Sequence, residues 1–467
     1  MMKASSFLNI LIMFLFGFGS NIYAVSKAYK VEKLPTGLEI ISIESHKVPL
    51  VTIVLAVKAG GMTETADIDG LTHLWEHMFF KGNKRLPDQE AFKKRIRQLG
   101  IVYNGDTSAE KVRYYFTLPA AFLDEGLQFM ADAISTPLLD EKELAKERHV
   151  VMDEYDRAAS SPGFDLGRIR QKLIYGDQSY RRDPLGQRPI IAKASRKQLL
   201  RIKDEVFVPS NSAIMVAGDF EPKVLKALVN KHFGSWKDPK DWKPIPAAKF
   251  QPFPKPETIV FTHKQARNVS IQMTYEGPKA RSQPEDSFAA DILISLLNHR
   301  SSKFYKKFVD SGLCFDAGLG YFTQSQAALI DVYLTTSAEK ANKALTMLKA
   351  EVPEWAKPKY FTNVELEDVK RSLLINHKRE LNKPSAFIKT LAFWWAITGL
   401  DYYGTYIDSL RKTTLKDVAK FVNKYLVKKD YITTYLMSPD EAKTMKLKDN
   451  SKKYIAKFKL ASGGTSK

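Results

Sequence analysis

The chain has 467 residues, 44% of them hydrophobic and 27% charged, a balance that excludes a disordered or fibrous protein and suits two cores of ordinary size. Lysine and arginine exceed the acids by 72 − 52 = 20. The basic residues are nevertheless dispersed on helix faces such as 92–95, with no basic tract interleaved with aromatics, so the charge argues against a nucleic-acid partner and for acidic peptides or an anionic surface. A single cysteine, Cys314 between Leu313 and Phe315, reads as a small buried hydrophobe and excludes an intramolecular disulfide.

Residues 1–24 carry Lys3, an apolar run over 7–18 and a closing Ile22-Tyr23-Ala24, the pattern of a secretory signal peptide cut after Ala24. The run is shorter than the roughly twenty residues that span a bilayer, which predicts a secreted or periplasmic protein with no stable membrane span after cleavage. Beyond it, Thr36-Gly37 is a turn signal, residues 38–44 alternate as a half-buried strand, and 50–57 form a more continuously apolar strand that Ala59-Gly60-Gly61 ends.

The stretch 70–83, GLTHLWEHMFFKGN, is the centre of the chain. His73, Glu76 and His77 stand at i, i+3 and i+4, so on a helix they share one face. Two neutral imidazoles there can hold zinc, and a carboxylate that is not a ligand can take the proton of a water activated beside it. A structural histidine pair beneath a hydrophobic cap is the plainer alternative, and a catalytic zinc would need a third ligand further on.

Residues 92–99 make a basic amphipathic helix closed by Gly100, followed by strands over 102–107 and 113–118. Leu123, Leu127, Met130 and Ile134 recur at helical spacing until Pro137. The next helix, 141–158, includes ELAKERHVVMDEYDR and presents Glu147 and Glu154 two turns apart on one face. Further helices over 162–176, 195–206 and 222–233 enclose the loop Tyr180-Arg181-Arg182-Asp183-Pro184 and a strand at 213–217. Six prolines in 237–256 mark a linker, after which 412–439 repeats the helix-then-strand plan of 193–222. The expected domains are a signal peptide 1–24, an N-terminal zinc-binding lobe 25–240, a linker 241–257 and a homologous lobe 258–467 without zinc.

His-x-x-Glu-His followed by Glu147 and Glu154 resembles the inverzincin motif of the insulinase or pitrilysin family of zinc metallopeptidases, which includes the mitochondrial processing peptidases, in its catalytic-subunit form. The resemblance covers nearly all of 31–437. It implies that His73, His77 and Glu154 hold one Zn2+ per chain, that Glu76 is the general base, and that Glu147 is a second catalytic acid outside the ligand set, while His149 matches no ligand. VYNGDTSAEKVRYYFTLP resembles the neighbouring strand that offers its edge to an extended substrate, which makes Asn104 and Gly105 substrate-backbone contacts; as Asn-Gly they would otherwise be a turn. The implied fold is α+β, two similar lobes, each a mostly antiparallel sheet covered by helices, in a clam-shell arrangement.

Two departures stand out. The equivalent helix of the second half, SFAADILISLLNHR at 287–300, has no such motif, and its isolated His299 reads as a helix-end residue. SKFYKKFVDSGLCFDAG at 302–318 resembles the segment in which self-sufficient members place an arginine and a tyrosine facing the zinc, but here those positions are Phe308 and Phe315. Neither side chain can donate a hydrogen bond. The expected function is a zinc-dependent endopeptidase for extended peptides or unfolded segments that takes arginine and tyrosine donors from a homologous partner in a heterodimer, or acts as a homo-oligomer. The alternative is a non-catalytic assembly subunit of such a pair.

Overall fold

The computed structural model describes residues 28–178, 180, 182–246 and 250–458; the leader 1–24 and Arg181 lie outside the described residues. Among the described residues eleven strands fall into two sheets. The first holds β1 (Lys30–Lys33), β2 (Glu39–Glu44), β3 (Leu50–Val57), β4 (Val102–Thr107), β5 (Val112–Pro119) and β6 (Ser212–Gly218) in the order β1-β2-β6-β3-β5-β4. The second holds β7 (Glu257–Thr262), β8 (Val269–Glu276), β9 (Asp316–Tyr321), β10 (Leu329–Thr336) and β11 (Ile432–Met437) in the order β7-β11-β8-β10-β9.

Apart from the added β1, the sheets repeat one plan. β6 lies parallel to β2 and antiparallel to β3, as β11 lies parallel to β7 and antiparallel to β8. Each of these strands follows a helix opened by a capping box, Ser195 with Gln198 before β6 and Thr414 with Asp417 before β11. The repeat read between 193–222 and 412–439 is therefore the same supersecondary unit used twice.

Five helices of the first half matter below: α1 (Leu71–Phe79), α2 (Gln89–Leu99), α3 (Leu123–Ser135), α4 (Glu141–Ala159) and α5 (Phe164–Tyr175). β3 reads LVTIVLAV because both its faces are covered. Val51, Ile53, Leu55 and Val57 enter the core shared with α1, α2 and α3, whereas Val54 and Ala56 meet Phe387, Leu391 and Trp395 of the helix Pro384–Ile397. The cover is reciprocal, because α5 lays Leu166, Ile169 and Leu173 against Ile259, Phe261 and Ile432 of the second sheet. Each such buried side chain contributes ~1.5–3 kcal/mol, so the two halves are joined by apolar seams as well as by the chain.

Polar bonds close the seam at the tip of the β4–β5 hairpin. Ser325 N–H donates to buried Glu110 at 3.0 Å, and Arg113 Nη1 donates to the Lys389 carbonyl at 2.9 Å. Asn104 and Gly105 are not at that tip: they lie inside β4, and the turn spans Ser108 to Lys111, which corrects the Asn-Gly turn alternative. Among the described residues, no helix is long and apolar enough to cross a membrane.

Candidate metal centre

α1 begins without a side-chain cap of its own. Gly70 sits in the left-handed region at φ 92°, a conformation glycine adopts at no steric cost, and crosses Gly186 so closely that a Cβ on either would strike the other's backbone. The orphan N–H groups of the first turn are taken by a carboxylate from upstream, with Gly70 N and Thr72 N each donating to Glu64 at 2.8 Å. Burial pushes the Glu64 carboxyl up to about 8 against those two bonds.

From this start the 3.6-residue period carries His73, Glu76 and His77 to one side of α1 while Leu71, Leu74, Trp75, Met78 and Phe79 enter the core. α4 packs beside α1, its buried stripe Leu144, Glu147, Val151 and Tyr155 setting the register that aims Glu147 and Glu154 at the imidazoles. Glu154 Oε2 lies 3.7 Å from His73 Nε2 and 3.6 Å from His77 Nε2. One ligand atom from each of the three residues falls within 4.8 Å of the others.

These residues fit a zinc ion. Ligands about 2.1 Å from a tetrahedral zinc stand roughly 3.4 Å apart, close to the two separations between Glu154 and the imidazoles. Burial, aided by repulsion from His77, lowers His73 to about 4, so its ring is neutral at physiological pH. Burial also acts to lower His77, but hydrogen bonding to Glu147 and the charges of Glu154 and Glu76 raise it on balance. The Nδ1–H of His77 donates to Glu147 Oε2 at 3.0 Å, since a carboxylate only accepts, and this leaves the Nε2 lone pair facing Glu154.

Glu147 is thus brought to the back of His77, where Lys81 Nζ meets its other oxygen at 2.6 Å. Against the cost of burial, the bonds to His77 and Lys81 hold the carboxyl below its usual range. Glu147 touches an imidazole and an ammonium, which is the geometry of a positioning residue. His149 lies on the exposed side of α4, and His299 ends the helix Pro284–Asn298 with Nδ1 2.7 Å from Ser301 Oγ.

Glu76 is buried, and desolvation raises its carboxyl, opposed by a hydrogen bond from Thr107 Oγ1 at 2.6 Å. Gly105 lies on the same face of β4, and a Cβ there would stand 2.5 Å from Glu76 Oε1. Asn104 is exposed at the sheet edge, its Oδ1 accepting the Gly105 N–H at 2.9 Å. The three acids, two histidines and edge strand are therefore one neighbourhood, which Lys81, Thr107 and Glu64 complete. Thr107 and Glu64 lie outside the spacing that marks the α1 residues, and Lys81, four residues after His77, stands just past the end of α1.

Phe308 and Phe315 part company. Phe308 is fully buried in a π-helical turn, its ring 4.8 Å from Phe304 in the second core, whereas Phe315 is 61% exposed at the start of β9.

A two-lobed α+β fold that brings together a His-His-Glu cluster and a separate buried glutamate is the arrangement that the family resemblance implies. Residues 39–186 match the family described as insulinase (peptidase family M16), and residues 193–373 match the peptidase M16 inactive domain. The chain belongs to this family. It is 26% identical over 422 residues to the zinc protease PqqE of Helicobacter pylori, covering 87% of this chain and 89% of that one. A crystal structure of a protease from Helicobacter pylori superposes with TM-score 0.79 at 23% identity, over 88% of this chain and 99% of its own. The first half of the periplasmic protease PqqL from Escherichia coli superposes with TM-score 0.74 at 18% identity, and in whole PqqL the match spans 51% of the chain.

Proposed function

We propose that this chain is a zinc-dependent endopeptidase acting on extended peptides or unfolded segments. The observation that carries the reading is the convergence of His73, His77 and Glu154 within 4.8 Å beside a buried carboxylate, Glu76, that is not one of the three. A structural zinc site has no use for such a carboxylate. When bound, zinc supplies Lewis-acid chemistry, polarising the scissile carbonyl and lowering the pKa of the attacking water.

The protein's own residues do the rest. His73, His77 and Glu154 hold the ion, and Lys81 and Glu147 hold the His77 ring in the tautomer that keeps Nε2 free. Glu76 receives the proton from water and passes it to the leaving amine. The β4 edge pairs with the substrate backbone: Gly105 N–H is an edge donor, and the Asn104 side-chain oxygen now on it occupies the place of a substrate carbonyl. Substrates must lie extended to be read this way.

The chain is further proposed to work with a homologous subunit that is a different protein, since a second copy would carry the same two phenylalanines. Phe308 and Phe315 offer no hydrogen-bond donor, and whole PqqL is about twice the length of the region this chain matches, which supports pairing of two such units. The lobe boundaries near 240 and 258, export through the leader, and a periplasmic or secreted location belong to the same proposal. They are supported by the residue pattern and by the periplasmic assignment of PqqL.

The test is co-purification from the native cell, with zinc content and peptide cleavage measured on the recovered assembly. Glu76→Gln should keep one zinc per chain and lose hydrolysis at least a hundredfold, because the amide keeps the shape and cannot accept the proton. Wild-type cleavage by Glu76→Gln would overturn the assignment. Zinc without cleavage in the wild-type assembly would favour the assembly-subunit reading, for which Phe308 and Phe315 are the motivating observation.

A further inference from the structure

A buried carboxylate keeps one orientation only if donors hold it. Among the described residues Glu76 has one hydrogen bond, from Thr107 Oγ1 to its Oε2 at 2.6 Å. β4 supplies that donor by register. Side chains alternate across a strand, so Tyr103, Gly105 and Thr107 face α1 together. Tyr103 packs on Phe80 with ring centroids 5.1 Å apart, Gly105 brings a bare Cα beside Oε1, and Thr107 meets Oε2.

The opposite face of β4 fixes that register. Asp106 forms ion pairs with Arg113, at 2.6 Å, and with Lys111, and Arg113 in turn donates to the Lys389 carbonyl of the other half. The strand is thereby held between α1 and the second lobe. The hydroxyl occupies one oxygen of Glu76, and the missing side chain at 105 leaves the other uncovered.

We infer that Thr107 is the positioning residue for the general base, a conclusion that rests on Glu76 being that base. One strand then serves two tasks two residues apart, pairing with substrate at Gly105 and orienting the proton acceptor at Thr107. A displaced base costs rate without altering metal or substrate binding, since the ligands and the strand edge are untouched.

The experiment compares Thr107→Val, which keeps the shape and removes the donor, with Thr107→Ser, which keeps the donor, in the zinc-loaded assembly with its partner. Thr107→Val should lower kcat about tenfold or more with KM and zinc per chain unchanged, and Thr107→Ser should stay within about threefold of wild type. A second readout uses the metal-free protein: the loss of melting temperature caused by Thr107→Val should shrink when Glu76→Ala is also present, because the two side chains are coupled. Full kcat in Thr107→Val while Glu76→Gln is inactive, or additive melting shifts, would overturn the inference. If wild type and Glu76→Gln are equally inactive, the assignment of the base fails instead, and the melting cycle still decides whether Thr107 holds this carboxylate.

Discussion

Glu147 and Glu154 lie two turns apart on α4 and meet the same imidazole pair in different ways. Glu154 Oε2 faces both Nε2 atoms, whereas Glu147 accepts from the far nitrogen of His77. Glu154→Gln should therefore weaken zinc far more than Glu147→Gln, for which a loss of roughly ten- to a hundredfold is expected. Competition with a chelator of known affinity measures both, and the reverse order would exchange the roles of the two acids. His73, Glu76 and His77 were legible because helical spacing sends them to one face, whereas the choice of Glu154 over Glu147 as a ligand came from the family resemblance. Thr107 and Lys81 were not legible, because one reaches Glu76 across 31 residues of chain and the other reaches the site only through Glu147.

At the level of elements, α1 depends on a cap the local sequence does not advertise. No Ser, Thr, Asn or Asp stands at Gly70, and the orphan N–H groups of Gly70 and Thr72 are met by Glu64 from a separate turn. Its carboxyl, raised by burial to about 8, lies above the unfolded value of about 4.3. The neutral form thus stabilises the fold fully in acid, and that contribution is lost as pH rises through 8. Glu64→Gln stays neutral at every pH but turns its NH2 toward one of the two N–H groups, so it should melt below wild type at pH 5 and show a shallower decline toward pH 9. Glu64→Ala leaves two donors unsatisfied and should cost about 1–3 kcal/mol at both pH values. Thermal denaturation across that range checks the pair, and an equally steep decline in Glu64→Gln would assign it to other groups. Strands and helices of this region were readable from period and breakers, as the continuous apolar run of β3 illustrates. What covers its second face was not, since Val54 and Ala56 say only that something apolar does.

In the whole molecule, the helix Pro384–Ile397 closes one face of the first sheet and α5 closes one face of the second, so each half supplies a helix that covers the other's sheet. This reciprocal cover was not legible, because nothing in either helix's own sequence says that the sheet it covers lies in the opposite half. It bears on where the missing donors come from. Phe308 is packed against Phe304 in the second core, and placing a guanidinium there would bury an unpaired charge at a cost of several kcal/mol. The double change Phe308→Arg with Phe315→Tyr should therefore destabilise the chain rather than make it self-sufficient. Loss of one oxyanion donor is worth about 3 kcal/mol, roughly a hundredfold in rate, so the isolated monomer should be slow. A homologous chain lacking the zinc motif but carrying arginine and tyrosine in the segment matching 307–317 should bind it and restore cleavage. Sedimentation of the mixture, with cleavage assayed on each fraction, measures both effects. Activity confined to the mixed species is the expected result, whereas full activity in a verified wild-type monomer would show that this chain holds its own donors.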